Sequence, residues 1–426
     1  MTKNTGLKTL FSNTIMLYIL QISGYVFPLI TFPYLTRVLG PDRYGILVFA
    51  NATMTYFQLL VDFGFLLSAT KECSINRGDK KKLGEIVSSV VQAKLLLVFV
   101  GFAITVILVS FVDVFAKKRL FMLFSYISVF LSIFIPDYLF RGLERMSIIT
   151  YRTIIAKAIY TMLIFVIVKT PDEYLYIPII TSVGNLFVVI WTWLVITKNL
   201  QIKYRIVSFS NTIQAMKESS VFFLSRIAST AYGASNAFIL GFICSGAALA
   251  NFGAANTLIS SARVMFSPIA DSLYPYMVNK KNYKLVKMLL FILSPLILIG
   301  TIVLFIFAEP IVVLICGSEF SEAVPIFRAM LPIIPITLPL YLLGFPVLGA
   351  MGKMKEANMS VVYAAIFHMV GLGVLFAIGS LNFISVAILT CGSEAIVLTL
   401  RIFYVFIGKR GEECNEKSFK AICIKK

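Results

Sequence analysis

The sequence predicts an all-α integral membrane protein of about twelve transmembrane helices, arranged as two parallel six-helix bundles with both termini in the cytoplasm. Three observations lead there. Apolar residues make up 59% of the 426-residue chain and charged residues 14%, against roughly 45–50% and 25% in soluble domains. The apolar residues fall in long runs, and a bilayer core of about 30 Å needs about 20 helical residues to cross it. Finally, the charge concentrates in every second loop. With both ends inside, 26 of the 38 Lys and Arg residues lie in cytoplasmic segments and 7 in outer loops, which is the bias that orients membrane proteins. That bias accounts for the net charge of +18 without a nucleic-acid partner.

The expected spans are 10–36, 44–69, 86–112, 120–140, 150–168, 174–197, 219–243, 251–277, 287–308, 328–350, 357–379 and 382–407. The first follows Lys3 and Lys8 and is too long for a signal segment, so it reads as an uncleaved helix. Gly40-Pro41-Asp42 then reverses the chain into the second span. Lys80-Lys81-Lys82 marks a cytoplasmic turn before the third. The polar link Lys198–Lys217 reads as a tether or a short interfacial helix before the seventh span. Prolines from Pro332 to Pro346 should kink or break the tenth. The outer loops are short, and the longest, 309–327, is too small for an extracytoplasmic domain. Six cysteines (Cys73, Cys244, Cys316, Cys391, Cys414 and Cys423) show no paired or metal-ligand spacing.

Landmarks recur at an offset of 208 residues. Tyr44-Gly45 corresponds to Phe252-Gly253, and Arg145-Met146 to Lys353-Met354. The reading is an N-terminal bundle, 1–208, and a C-terminal bundle, 209–426, ending in a short basic cytoplasmic tail. Six spans per half is an even number, so the halves are parallel repeats, a transporter architecture that places substrate between them.

The stretch Arg37-Val38-Leu39-Gly40-Pro41-Asp42-Arg43-Tyr44-Gly45 resembles the polysaccharide transporter family, the Wzx-type O-antigen and capsule-unit flippases of the MOP superfamily. Pro136-Asp137-Tyr138-Leu139-Phe140-Arg141-Gly142-Leu143-Glu144 is similar to a second motif of that family, with Tyr138 in place of the usual Trp and Arg141 in place of Gln. Asp62-Phe63-Gly64 with Ser68-Ala69-Thr70-Lys71-Glu72, and Lys217-Glu218-Ser219, also match. The resemblance spans the chain. It implies a multi-pass protein of the bacterial inner membrane that flips an undecaprenyl-pyrophosphate-linked glycan. It also implies membrane lipids, a polysaccharide polymerase and assembly proteins as partners.

Ionisable groups inside a span are functional candidates. Arg263 and Glu394 fall near the midplane; Arg226 and Lys157 lie about 10 Å deep at 1.5 Å per residue. Lys94, Lys157 and Arg401 are near enough to the inner surface to snorkel. Ser225, Ser229, Thr230, Ser235 and Asn236 share the helix of Arg226, too polar a set for lipid. Arg226 and Arg263 are therefore expected to line a cavity, the alternative being a structural pair of Arg263 with Glu394 or Asp271. A guanidinium fork suits phosphate oxygens, and Asn51, Gln58, Asn236 and Asn256 could hydrogen-bond sugar. Glu394, Asp62 and His368 are the groups for charge balance or ion coupling, with H+ or Na+ as the coupling ion and no cofactor. His368 could instead pack against a neighbouring carbonyl.

Catalysis finds little support. No Gly-rich loop ends in Lys-Ser/Thr, and no nucleophile has a nearby base. Two rivals remain. A MATE-like antiporter of drugs or cations would want buried carboxylates, and a polytopic glycan polymerase or glycosyltransferase would want a sizeable loop of acidic or catalytic residues.

Overall fold

The structure is a computed structural model that describes residues 3–423. Side chains are described from 12 to 407, apart from Leu224, Ser225, Ala228, Ser229, Ala231, Tyr232 and Pro275. Ser225, Ser229, Cys414, Cys423 and the basic tail therefore lie outside the described side chains. Every regular element among the described residues is helical. Nine helical runs there are long and apolar enough to cross a membrane, so the chain is a multi-pass membrane protein. The helix Tyr283–Ile306 leaves its most apolar window wholly unburied, the inverse of a soluble amphipathic helix.

The difference from twelve has a local cause. The first run, Ser12–Ile75, has 64 residues and at 1.5 Å per residue is about three bilayer cores long. It cannot be one crossing. Gly40, at φ 64° and ψ 174°, breaks it at the expected turn, a conformation open to glycine and strained for other residues. The expected spans 219–243 and 251–277 are absent from the nine, because Arg226, Arg263, Asp271 and many hydroxyls dilute their hydropathy. Both stretches are nevertheless helical.

Two compact units are present, Met1–Ala250 and Asn251–Lys426. The first contains α1 (Lys3–Asp62), α2 (Phe65–Ile75), α3 (Lys80–Phe111), α4 (Asp113–Ala116), α5 (Arg119–Ser132), α6 (Asp137–Gly142), α7 (Met146–Ile167), α8 (Tyr176–Leu194) and α9 (Phe209–Ile243). α9 packs on α1, α2 and α3, so this compact unit extends past residue 208. Its apolar core joins Val61 and Phe65 to Val87, Val91, Leu139 and Phe140. Asp79 caps α3 by accepting from the amides of Lys81 and Lys82. Residues 201–207 are not helical. They lie along α3, where Arg205 N donates to Ser88 Oγ (3.0 Å) and Lys80 Nζ to Gln201 Oε1 (2.9 Å). The link is a pinned strap, with α9 starting ten residues earlier than the expected span. Turns expected on one side touch one another: Arg43 meets Asp172 at 3.2 Å, and Arg77 meets Glu144 at 2.6 Å.

α10 (Gly246–Val264) starts in the first unit and continues into the second. That unit adds α11 (Ser267–Lys280), α12 (Tyr283–Ile306), α13 (Ala308–Cys316), α14 (Ala323–Met330), α15 (Ile333–Leu342), a wide helical turn Leu343–Gly349, α16 (Met354–Ala377) and α17 (Phe383–Cys423). The proline-rich tenth span is broken, with Gly344 at a non-helical ψ of −117°.

One turn is built twice at the 208-residue offset. Glu144 (φ 57°) and Gly352 (φ 75°) are both left-handed. The following Arg145 and Lys353 share a conformation and open α7 and α16. The amide of Arg145 donates to Phe140 O and that of Lys353 to Leu348 O, each at 2.8 Å. The sequence repeat is thus also a repeat of backbone geometry.

Candidate functional site

A cavity of about 390 Å³ opens within the first unit between α1, α5, α8 and α9. Asn51, Thr55, Gln58 and Asp62 recur at helical spacing along one side of α1 and face it, while Ser125, Ser128, Thr181, Thr230 and Arg226 complete the polar wall. Several hydroxyls donate to their own helix, Ser125 to Phe121 O (2.7 Å) and Thr181 to Ile177 O (2.9 Å). This satisfies the hydroxyl hydrogen and leaves an oxygen able to accept. Gln58 Nε2 donates to Ser132 Oγ (3.1 Å), and Asn185 Nδ2 to Ser128 Oγ (2.5 Å).

The carboxylate at this cavity is already compensated. Asp62 Oδ1 lies 3.0 Å from Lys94 Nζ, and Lys94 is 5% exposed. Snorkelling is therefore not its role. α3 begins at Lys80, six residues before the expected start, so Lys94 sits fourteen residues along the helix. A smaller cavity of about 180 Å³ shares Gln58 and Asp62 with the first and adds Lys94, Ser132 and Asp137. Asp137 pairs with Arg152, whose guanidinium also donates to Thr192. Arg152 is 1% exposed. Arg152 is not among the groups expected at depth, because it stands only two residues inside the expected start at 150, whereas α7 begins at Met146.

The second unit holds another buried cluster. Arg263 Nη2 lies 2.8 Å from Glu394 Oε1, and Glu394 is buried. Next to it, Ser393 Oγ donates to Leu389 O (2.8 Å), leaving its lone pair to accept from His368 Nδ1 (2.9 Å). The partner of His368 Nδ1 in that bond is a hydroxyl. Arg401 is buried too and does not snorkel, since α17 runs well past it. Its Nη1 donates to Leu340 O (2.5 Å) and its Nε to Ser360 Oγ (3.2 Å). That carbonyl precedes the break at Gly344 and accepts also from the amide of Leu343, three residues on, so the guanidinium is a second donor to a backbone group at the proline-rich bend.

The expected site residues are thus distributed over separate places. Asn51, Asp62 and Arg226 share the first-unit cavity. Arg263, Glu394 and His368 gather in the second unit. Asn236 is buried on α9 outside that cavity wall, Asn256 is exposed on α10, and half-buried Lys157 rests beside Gly24. Lys94, Asp137 and Arg152 were missed as a network. The signal available was an unusual density of charge at the ends of the third, fourth and fifth spans.

Residues 10–281 match the family described as "Polysaccharide biosynthesis protein". The chain belongs to that family. The family member is 27% identical over 411 residues to the "Putative O-antigen transporter" of Escherichia coli (strain K12), covering 94% of this chain and 98% of the relative. It is 26% identical over 362 residues to the "Putative O-antigen transporter" of Shigella dysenteriae, covering 84% and 90%. Among solved structures, this polysaccharide biosynthesis family chain resembles the lipid II flippase MurJ in an inward closed conformation. The TM-score is 0.70 at 15% identity, over 93% of this chain and 87% of the other. An inward-facing multidrug resistance MATE family transporter of the MOP superfamily gives 0.64 at 12%, over 95% and 99%. These likenesses place the family member in the fold of MOP transporters.

Proposed function

We propose that this chain is a flippase that moves a polyprenyl-pyrophosphate-linked oligosaccharide of O-antigen or capsule type from the cytoplasmic to the outer leaflet by alternating access. The observation that carries the reading is the first-unit cavity. Its hydroxyl- and amide-rich wall suits sugar, Arg226 suits phosphate, and its carboxylate is neutralised by Lys94. The named relatives and the MurJ-like fold support the same class.

In this reading the membrane is the bacterial inner one and the chain crosses it twelve times with both termini inside. Two parallel six-helix halves, 1–208 and 209–426, would make up the transporter. The break at Gly40 and the polar helices α9 and α10–α11 supply the crossings beyond the nine apolar runs, and the duplicated turn supports the repeat. Arg263 is a second headgroup contact whose resting partner is Glu394; Asn51, Asn236, Asn256 and Lys157 contribute to glycan or headgroup binding. Glu394, Asp62 and His368 balance charge or carry a coupling H+ or Na+, with no cofactor. Membrane lipids, a polymerase and assembly proteins are the partners, and nucleic acid is not. A MATE-like cation exporter is disfavoured because Asp62 and Asp137 each hold a cationic side chain, leaving little net negative charge for a cationic drug.

Arg226→Ala should reduce surface glycan about tenfold or more, since a hydrogen bond to a charged group contributes roughly 1.5–3 kcal/mol, while leaving the protein in the membrane. Lipid-linked units should accumulate on the cytoplasmic side. Normal surface glycan in this variant would refute the site. Topology has its own check. Single cysteines at Lys81, Lys203 and Lys281 should be shielded from an impermeant thiol reagent in whole cells, and those at Lys118 and Ser380 should react. Reaction at residue 281 would sink the twelve-span arrangement.

A further inference from the structure

The smaller cavity of the first unit, about 180 Å³, has a polar wall made by Gln58, Asp62, Lys94, Ser132 and Asp137. Much of the hydrogen-bonding capacity of that wall is unspent among the described residues. Asp62 gives Oδ1 to Lys94, and Asp137 gives Oδ1 to Arg152. The second oxygen of each carboxylate accepts from no described residue, and the two side chains are 27% and 33% exposed. Gln58 donates through Nε2 to Ser132 Oγ, while its carbonyl oxygen takes no described donor. Lys94 makes one of the three bonds its ammonium can make.

Two carboxylates and two cations leave this cluster without net charge. A polar, balanced space of this size holds about six waters at about 30 Å³ each, or one pyranose ring. Three acceptor oxygens beside one ammonium suit such a ring. Its hydroxyls donate to the former, and its own oxygens accept from the latter. Leu66 and Ile135 add apolar surface for the C–H face of the ring. A uronic acid would bring an unbalanced charge into the site, which is costly away from water. The annex and the larger cavity share Gln58 and Asp62, one helical turn apart on α1. The bond from Gln58 to Ser132 at that common wall is neutral and contributes about 0.5–1.5 kcal/mol net. One bond from Gln58 to a sugar hydroxyl replaces it.

We infer that this annex is a subsite for one neutral sugar residue of the glycan, seated there while the larger cavity takes its neighbour. Asp62 and Gln58 then touch both sugars, and Lys94, Ser132 and Asp137 select the one in the annex. The inference rests on the flippase reading and narrows its substrate to units that contain a neutral hexose.

A thiol placed in the annex tests it. Ser132→Cys is a near-isosteric change on the annex wall, and Ser132 does not line the larger cavity. In lipid nanodiscs, at least one of a panel of neutral methyl hexosides should slow alkylation at residue 132 threefold or more, read by mass spectrometry. The methyl glycosides of the corresponding uronic acids should slow it less. No slowing by any hexoside would make water the only occupant and overturn the inference, as would equal slowing by a uronide. Saturation-transfer NMR on the unmodified protein should detect the same hexoside. Ile135→Phe, which narrows the annex without removing a polar group, should bind it about tenfold more weakly, the equivalent of one hydrogen bond to a charged group. Unchanged affinity in Ile135→Phe also overturns the inference, and if that variant does not fold the thiol footprint decides. Protection at residue 132 together with normal export by Arg226→Ala would leave the sugar subsite standing and defeat the proposed phosphate site. Loss of export in Arg226→Ala without protection at residue 132 would defeat this inference alone.

Discussion

Asp137→Leu is expected to destabilise the protein by about 3–5 kcal/mol, the usual effect of removing one partner from a buried ion pair. The side chain left behind is Arg152, only 1% exposed, with Thr192 as its other polar partner. A guanidinium in that position can neither reach water nor lose its proton readily. Arg152→Met should cost less, because the carboxylate it abandons is 33% exposed and part of its hydration survives. The double variant should recover most of the loss, since apolar residues of similar volume often replace a buried pair without penalty. Chemical or thermal unfolding of the four proteins in one detergent gives the comparison. If Arg152→Met proved more damaging than Asp137→Leu, or if the double variant were the worst, the pair would not be balancing charge as described.

Gly45→Ala is expected to have the next largest effect. A Cβ at Gly45 would stand 1.8 Å from the carbonyl oxygen of Gly246 and 2.5 Å from its carbon. Both are backbone atoms, so no rotamer change can relieve the clash, and α1 must separate from the start of α10. Overpacking of a close contact costs about 1–3 kcal/mol, and export should fall with it. Gly300→Ala on α12 is the control, since a Cβ there meets nothing within 4 Å. Export and stability of Gly45→Ala equal to those of Gly300→Ala would show that the two backbones do not need this approach.

The fold class was legible because it depends on quantities local to the chain. Run length and loop charge fixed the membrane reading, and Gly40 and the prolines around Pro339 marked breaks by their own backbone chemistry. The site was less legible because its contacts are not local. Asp62 meets Lys94 across 32 residues, and Arg152 meets Asp137 across 15, through the reversal at Glu144. No periodicity announces such a partner. Small errors in where a helix starts then became errors of chemistry: beginning α7 four residues late left Arg152 at the edge of its span, and beginning α3 six residues late made Lys94 look able to reach water. Ser393, which meets the His368 ring, lies 25 residues away on another helix.

The hold of Arg401 on the carbonyl of Leu340 has a mechanical consequence. In an unbroken helix that oxygen would be tied to an amide of the same chain, and bending would mean stretching bonds that share one stiff rod. Here the Leu343 amide, only three residues on, shares that oxygen with a long side chain from another helix, which reaches the bend beside Gly344, where a Cβ would lie 2.5 Å from its Nη1. The guanidinium can tilt and slide while keeping its bond, so a change of angle at this joint need not break its hold on that oxygen. The hold from outside the helix comes from one residue. Shortening that residue would slacken the joint without altering the α15 or α16 sequence, and the rate at which this unit changes shape would become a property tunable at position 401.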